Sequence, residues 1–142
     1  MGIELSLAPD PDEVEVVRKG LSDYAESIYE GLPDFKQDLE FSFISRDENG
    51  EINAGLTGSG FWNAMHIAVI WVAEHCRGQN LGSELLDRAE LLARKHDFGL
   101  IYLDTSRAKD FYEKHGYKVF GVLENQPPGH NLFFMQKRLG DE

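Results

Sequence analysis

His75-Cys76-Arg77-Gly78-Gln79-Asn80-Leu81-Gly82-Ser83-Glu84-Leu85-Leu86 decides the reading of the whole chain. An apolar run, Ile67 to Val72, ends just before it, and an amphipathic helical pattern begins inside it. The segment therefore reads as strand, tight polar turn, helix. Backbone N–H groups in the first turn of a helix have no intrahelical acceptor, and the helix dipole adds partial positive charge at the same end. Small residues at Gly78 and Gly82 leave room for an anion to approach the main chain. The junction has the chemistry of a phosphate site.

Downstream of the turn, Leu81, Leu85, Leu86, Ala89, Leu92 and Ala93 mark one face of a helix, and Arg94-Lys95-His96 place cations in its last turn. Gly99 to Leu103 is a short apolar strand. Ala108, Phe111, Tyr112 and His115 define a two-turn helix stopped by Gly116. Tyr117 to Leu123 and Leu132 to Leu139 are strands separated by the polar loop Asn125 to His130. Upstream, Met65 to Ala73 is the strand that feeds the turn. Before it, Glu40 to Ser45 and Ile52 to Trp62 form a hairpin around Asp47-Glu48-Asn49-Gly50. Gly55, Gly58 and Gly60 weaken the second of these strands, which implies bulges or a close backbone approach. Asp10-Pro11-Asp12-Glu13 starts a helix with a capping Asp and a Pro at its first position. Val14, Val17, Leu21, Ala25 and Ile28 form a stripe predicted to be buried, and the helix is predicted to end near Gly31, with Pro33 just beyond. Ile3 to Leu7 alternates as a first strand. The order β-α-β-β-β-α-β-α-β-β predicts an α+β or mixed α/β fold of about seven strands, with a largely antiparallel sheet, and not a doubly wound dinucleotide fold.

With 142 residues, 42% of them hydrophobic, the chain suits one compact domain, residues 1–142. No apolar run approaches the roughly 20 residues that span a bilayer, and the N-terminus lacks the pattern of a signal peptide. A cytoplasmic protein with no membrane partner is the expectation. The single cysteine, Cys76, excludes an internal disulfide and a thiolate metal cluster, and no His, Asp and Glu set has metal-ligand spacing. A formal charge of −11 argues against a nucleic-acid partner, which needs clustered Lys and Arg. It suits a cationic substrate such as an amine, or simply solubility.

Two motifs in order resemble those of the GNAT superfamily of acetyl-CoA-dependent N-acyltransferases. The turn Arg77-Gly78-Gln79-Asn80-Leu81-Gly82 is similar to the family's R-x-x-G-x-G/A. The segment Ala108-x-x-Phe111-Tyr112-Glu113-Lys114-x-Gly116-Tyr117 is similar to its A-x-x-(F/L)-Y-x-K-x-G-(F/Y). The likeness is clear over roughly residues 64 to 139 and topological before that. The loop Leu123 to His130 also resembles a group of small bacterial members. Asn80 stands where the motif usually has its first glycine, and asparagine is among the few other residues that accept a left-handed backbone. Thr105 stands where many members carry Asn.

The resemblance implies that acetyl-CoA is the co-substrate. The Arg77, Gly78, Gln79, Asn80, Leu81, Gly82 and Ser83 turn would hold its pyrophosphate. The pantetheine arm would enter between Met65–Ala73 and Gly99–Leu103, bonded by backbone groups near Trp71 and Val72, with Trp71 alternatively packed in the core. Phe111 and Thr105 are placed toward the cofactor, with Thr105 alternatively capping the second helix, and Lys114 and Lys109 toward its remaining phosphate. Tyr112 stands where many members place a proton donor for the departing thiolate; the alternative is a core aromatic. His66 is the candidate base that deprotonates an amine acceptor, an imidazole titrating near neutrality, and Glu74 acting through water is the second. The same two are also readable as a half-buried strand histidine and a turn carboxylate. Cys76 carries no family role. His130 with Pro127 and Pro128 either lines an acceptor pocket or shapes a loop, and Phe133, Phe134 and Met135 are sheet core or a homodimer contact. The implied activity is direct acetyl transfer in a ternary complex to a primary amine of a small molecule or protein. A non-catalytic acyl-CoA-binding regulatory module is the alternative.

Overall fold

A computed structural model of the chain describes residues 2–31 and 39–140. The chain falls into two compact units, one within residues 1–35 and one within 36–142.

The first unit is built on α1 (Pro11–Ile28). The Asp10 side chain accepts a hydrogen bond from the Asp12 N–H at 2.9 Å, and Pro11 opens the first turn, where its missing N–H costs nothing. Of the predicted stripe only Ala25 is buried; Val14, Val17, Leu21 and Ile28 are exposed. Helical spacing gathers apolar groups on one side but does not provide the surface that covers them. Ile3, Leu5 and Leu7 are also exposed and lie in irregular chain, not in the predicted first strand. Alternation needs a neighbouring strand to become a ladder, and none pairs with them among the described residues. Pro33, expected just beyond the helix, lies outside the described residues.

The second unit is a mixed sheet of six strands: β1 (Leu39–Arg46), β2 (Ile52–Phe61), β3 (Ala64–Val72), β4 (Leu100–Thr105), β5 (Lys118–Glu124) and β6 (Asn131–Arg138). Their order is β1-β2-β3-β4-β6-β5, so among the described residues the predicted count of seven is corrected to six. Only the β3–β4 pair is parallel, as it must be when α2 (Leu81–Lys95) carries the chain from one to the other. The β1–β2 turn closes on Asp47, whose Oδ1 accepts from the N–H groups of Asn49 and Glu51 at 2.8 and 2.9 Å.

The helix α2 buries Leu85, Leu86, Ala89 and Ala93 against Leu56, Met65, Ile101, Leu103 and Met135 of the sheet. Each fully buried Leu, Ile or Met side chain among these contributes about 1.5–3 kcal/mol. The short helix α3 (Lys109–Lys114) adds Tyr112 to the same core. It ends on Gly116 at φ +90°, where the Tyr117 N–H reaches back to the Tyr112 carbonyl at 3.0 Å. Glu90 of α2 accepts from Lys137 Nζ at 2.6 Å and from the Tyr117 hydroxyl at 3.3 Å, tying helix to sheet.

The β2 glycines have a steric reason. A Cβ at Gly58 would collide with the His66 carbonyl oxygen and with Phe41 Cζ at 2.7 Å, and one at Gly60 with the Phe98 ring. Beside Gly58 the β2–β3 register slips: Thr57 faces Val69, Gly58 faces Ile67, and Ala68 is left over as a bulge.

Candidate active site

Where β3 passes into α2, the backbone turns through a 3₁₀ turn (Glu74–Cys76) and then adopts left-handed conformations at Gly78 (φ +83°) and Asn80 (φ +62°, ψ +16°). Asparagine thus accepts the conformation that the family's glycine would take. The Asn80 carbonyl accepts the first helical hydrogen bond, from the Glu84 N–H at 3.0 Å. No side chain caps the helix, so the N–H groups of its first turn are left for an outside acceptor. They border a cavity of 320 Å³ lined by Val72, Cys76, Arg77, Gly78, Asn80, Leu81, Gly82, Ser83 and Phe111. This lining contains Arg77 and no carboxylate, which fits a phosphate group. Arg77 Nε donates to the Val72 carbonyl at 3.1 Å, which fixes the guanidinium stem against β3. Ser83 Oγ lies 3.0 Å from His115 Nε2, a link between the start of α2 and the end of α3. Gly82 stands 3.5 Å from Phe111 Cζ when given a Cβ, so its smallness keeps the mouth open without being needed for the turn itself.

The second cavity lies in the sheet. Strands β3 and β4 pair only at Ala64–Leu100, Met65–Ile101 and His66–Tyr102. Beyond His66 the Ala68 bulge turns β3 away, and the strands part around 260 Å³ of space. Its walls are Ile67, Ala68, Val69 and Ile70 on one side and Leu103, Asp104 and Thr105 on the other, with Ala108 and Tyr112 from the segment carrying α3. Parted strands leave backbone N–H and C=O groups without ladder partners, the donors and acceptors that an extended amide chain can use. Tyr112 is buried, its ring edge-on to Phe111 and Tyr117 at centroid distances of 5.1 and 5.8 Å. Burial, and secondarily the Asp104 carboxylate, pushes its phenol up to about 12, so it remains a proton donor at neutral pH. Thr105 Oγ1 accepts from the Ala108 N–H at 3.1 Å and so shapes the entry to α3.

The structure brings Tyr112 and Thr105 together in the cleft, and Val72, Arg77, Gly78, Asn80, Leu81, Gly82, Ser83 and Phe111 at the turn. Gln79, Lys114, Trp71, His66 and Glu74 line neither cavity. His66 sits at the point of parting, on the sheet face away from the buried Met65 and Ile67, stacked on Tyr102 at 4.8 Å. Trp71 is 47% exposed, and Glu74 is exposed in the 3₁₀ turn at the phosphate end of β3. Lys109 is paired with Glu113 at 3.9 Å and lies over the Phe133 ring. Cys76 is buried, and His130 is exposed in its loop. Sequence reasoning missed Asp104 because it ended the strand at Leu103; a lone acid closing a short apolar strand was the available signal. It also missed the Ser83–His115 link, which joins residues 32 positions apart.

A parallel strand pair thus parts at a bulge, and the second of its strands follows a helix whose N-terminus no side chain caps. The chain belongs to the Acetyltransferase (GNAT) family, whose sequence profile matches residues 8–117. It is 35% identical over 96 residues to the blasticidin-S acetyltransferase of Streptomyces morookaense, covering 65% of this chain and 70% of that protein. It is 29% identical over 140 residues to an acetyltransferase of Agrobacterium fabrum, covering 97% of this chain and 99% of that one. The crystal structure of an acetyltransferase from Bacillus cereus superposes with a TM-score of 0.86 at 34% identity, over 98% of both chains.

Proposed function

We propose that the protein transfers an acetyl group from acetyl-CoA directly to a primary amine within a ternary complex. The observation that carries this reading is the parting of β3 and β4 into a cleft, together with the uncapped N-terminus of α2 that follows β3 in the chain. In this reading the N–H groups of residues 81–83, with Arg77, hold the pyrophosphate. The Ala68 bulge and the parted backbone after it bond the amides of the neutral pantetheine arm and orient the acyl carbonyl. Tyr112 protonates the sulfur as the carbon–sulfur bond breaks and the carbon–nitrogen bond forms, and the proton lost by the amine restores the phenol through solvent. His66, at the parting point, is the assigned base, with Glu74 acting through water as the second candidate. Among the described residues no helix is long and apolar enough to cross a membrane, and no cluster of His, Cys, Asp or Glu is placed to hold a metal.

One relative's name specifies blasticidin S, a small-molecule acceptor. The acceptor class assigned here is a small-molecule or protein amine. The reading is tested by thermal unfolding with and without acetyl-CoA. Millimolar acetyl-CoA at about a hundred times its Kd stabilises by about 2.7 kcal/mol, and Gly82→Glu abolishes the effect by filling the mouth and placing a negative charge at the phosphate site. No stabilisation of the wild type removes the cofactor assignment; full stabilisation of Gly82→Glu moves it away from this turn.

A further inference from the structure

Among the described residues Asp104 is the only charged side chain lining the cleft, and no cation pairs with it. A neutral pantetheine arm gives that carboxylate nothing to neutralise, and an anionic cofactor gains nothing from its charge. Its surroundings are specific. Along β4 the buried Ile101 and Leu103 alternate with the exposed Tyr102 and Asp104, so the latter two share the sheet face opposite the core. Phe134 of β6 stands directly across from Asp104, and Tyr102 is stacked on His66. A carboxylate flanked on one face by two aromatic side chains has the composition of an ammonium site: the charge supplies attraction and hydrogen-bond acceptors, and the rings offer their negative faces.

Resting on the acyl-transfer reading, we infer that Asp104 anchors the ammonium group of the acceptor, flanked by Tyr102 and Phe134, and selects cationic over neutral or acidic acceptors. Asp104 acts here by binding and positioning. Asp104 and Tyr112 both line the cleft, so an amine held at Asp104 borders the cavity that Tyr112 enters. Burial holds the Tyr112 hydroxyl protonated, and the same carboxylate adds to that effect, so one charge faces the incoming amine and supports the proton donor.

The test uses the full chain saturated with coenzyme A and titrated with n-butylammonium, with 1-butanol as the neutral isostere, while backbone amide resonances are followed by NMR. Saturable shifts at Asp104 and Thr105 are expected for butylammonium. Asp104→Asn weakens that binding about tenfold, the size expected for loss of a hydrogen bond to a charged group, and Asp104→Glu restores part of it. The response to 1-butanol is the same in all three proteins, and coenzyme A still stabilises each of them. Butylammonium binding that is absent from these residues, or unchanged by Asp104→Asn while coenzyme A still stabilises, overturns the inference alone. Failure of coenzyme A to stabilise the wild type overturns the acyl-transfer reading, and the inference with it.

Discussion

Asn80 holds a backbone conformation that most side chains resist, at the residue whose carbonyl begins α2. A left-handed residue costs an ordinary side chain roughly 1–2 kcal/mol, and a β-branched one more. Asn80→Gly should therefore leave stability and acetyl-CoA affinity within about 0.5 kcal/mol of wild type, whereas Asn80→Val should destabilise by about 1–3 kcal/mol and weaken cofactor binding, both read from melts with and without ligand. Tyr112 poses a different question, because the same burial that makes it a core aromatic also keeps its proton in place. Tyr112→Phe should lower the rate of acetyl transfer about 10²- to 10⁴-fold, the usual range for a lost general acid, with acetyl-CoA affinity nearly unchanged. Unaltered turnover would assign Tyr112 to packing and leave the departing thiolate to be protonated by another group or by water, whereas absence of turnover in the wild type would favour the non-catalytic reading of the scaffold. The pH dependence follows from the direction of the shift. With a folded value near 12 against about 10 unfolded, the stability that Tyr112 contributes is fully present below pH 10. It is lost as pH rises from about 10 to about 12, by of order 2–3 kcal/mol. Tyr117, raised in the same direction by burial and by Glu90, adds to the same alkaline loss. Alkaline melts of wild type and Tyr112→Phe should diverge in that window and run parallel below it.

Between the elements, the cleft depends on how β2 meets β3. Gly58 lets the β3 backbone approach closely at His66, the residue after which β3 and β4 part, and the Ala68 bulge sits just beyond it. Gly58→Ala forces its methyl against a carbonyl oxygen and an aromatic ring. It should cost about 1–3 kcal/mol, the range for overpacking, and should also weaken acetyl-CoA binding, as measured by urea unfolding and cofactor titration on the same variant. Loss of stability with unchanged affinity would separate the bulge from the site. The glycines of β2 showed in the sequence that something approaches this strand, but not what, because the colliding atoms belong to residues brought in by tertiary packing. Local signals fared well for the same reason that distant ones did not. The cap at Asp10, the turn at Asp47 and the stop at Gly116 are set by hydrogen bonds a few residues long, and all three were legible. The alternation of Ile3, Leu5 and Leu7 had no strand to pair with, and the α1 stripe no surface supplied by its own helix, so pattern alone misled. The turn at Arg77 to Ser83 was readable because both its backbone conformation and its neighbouring helix are local. Asp104 and the Glu90–Lys137–Tyr117 cluster depend on strand register and on contacts across 27 and 47 residues.

For the molecule as a whole, the formal charge of −11, from 25 acidic and 14 basic residues, acts on two ligands of opposite sign. It repels a polyanionic cofactor and attracts a cationic acceptor over distances of a Debye length, about 10 Å at 0.1 M salt. The attraction of the α2 N-terminus and Arg77 for phosphate works at contact distance inside a cavity, where salt screens much less. Raising the salt should therefore remove the long-range repulsion and spare most of the local attraction, so coenzyme A affinity should hold or rise. Butylammonium has no such compensation: its attraction to the acidic chain and to an exposed carboxylate is the part that salt screens. Titrations at about 0.01 M and about 0.5 M salt should show its binding weaken several-fold, while coenzyme A binding changes by less than about twofold or tightens. If both ligands lose affinity together, the phosphate site is governed by long-range field rather than by the helix terminus. If neither responds, the acidic surface serves solubility and plays no part in choosing the acceptor.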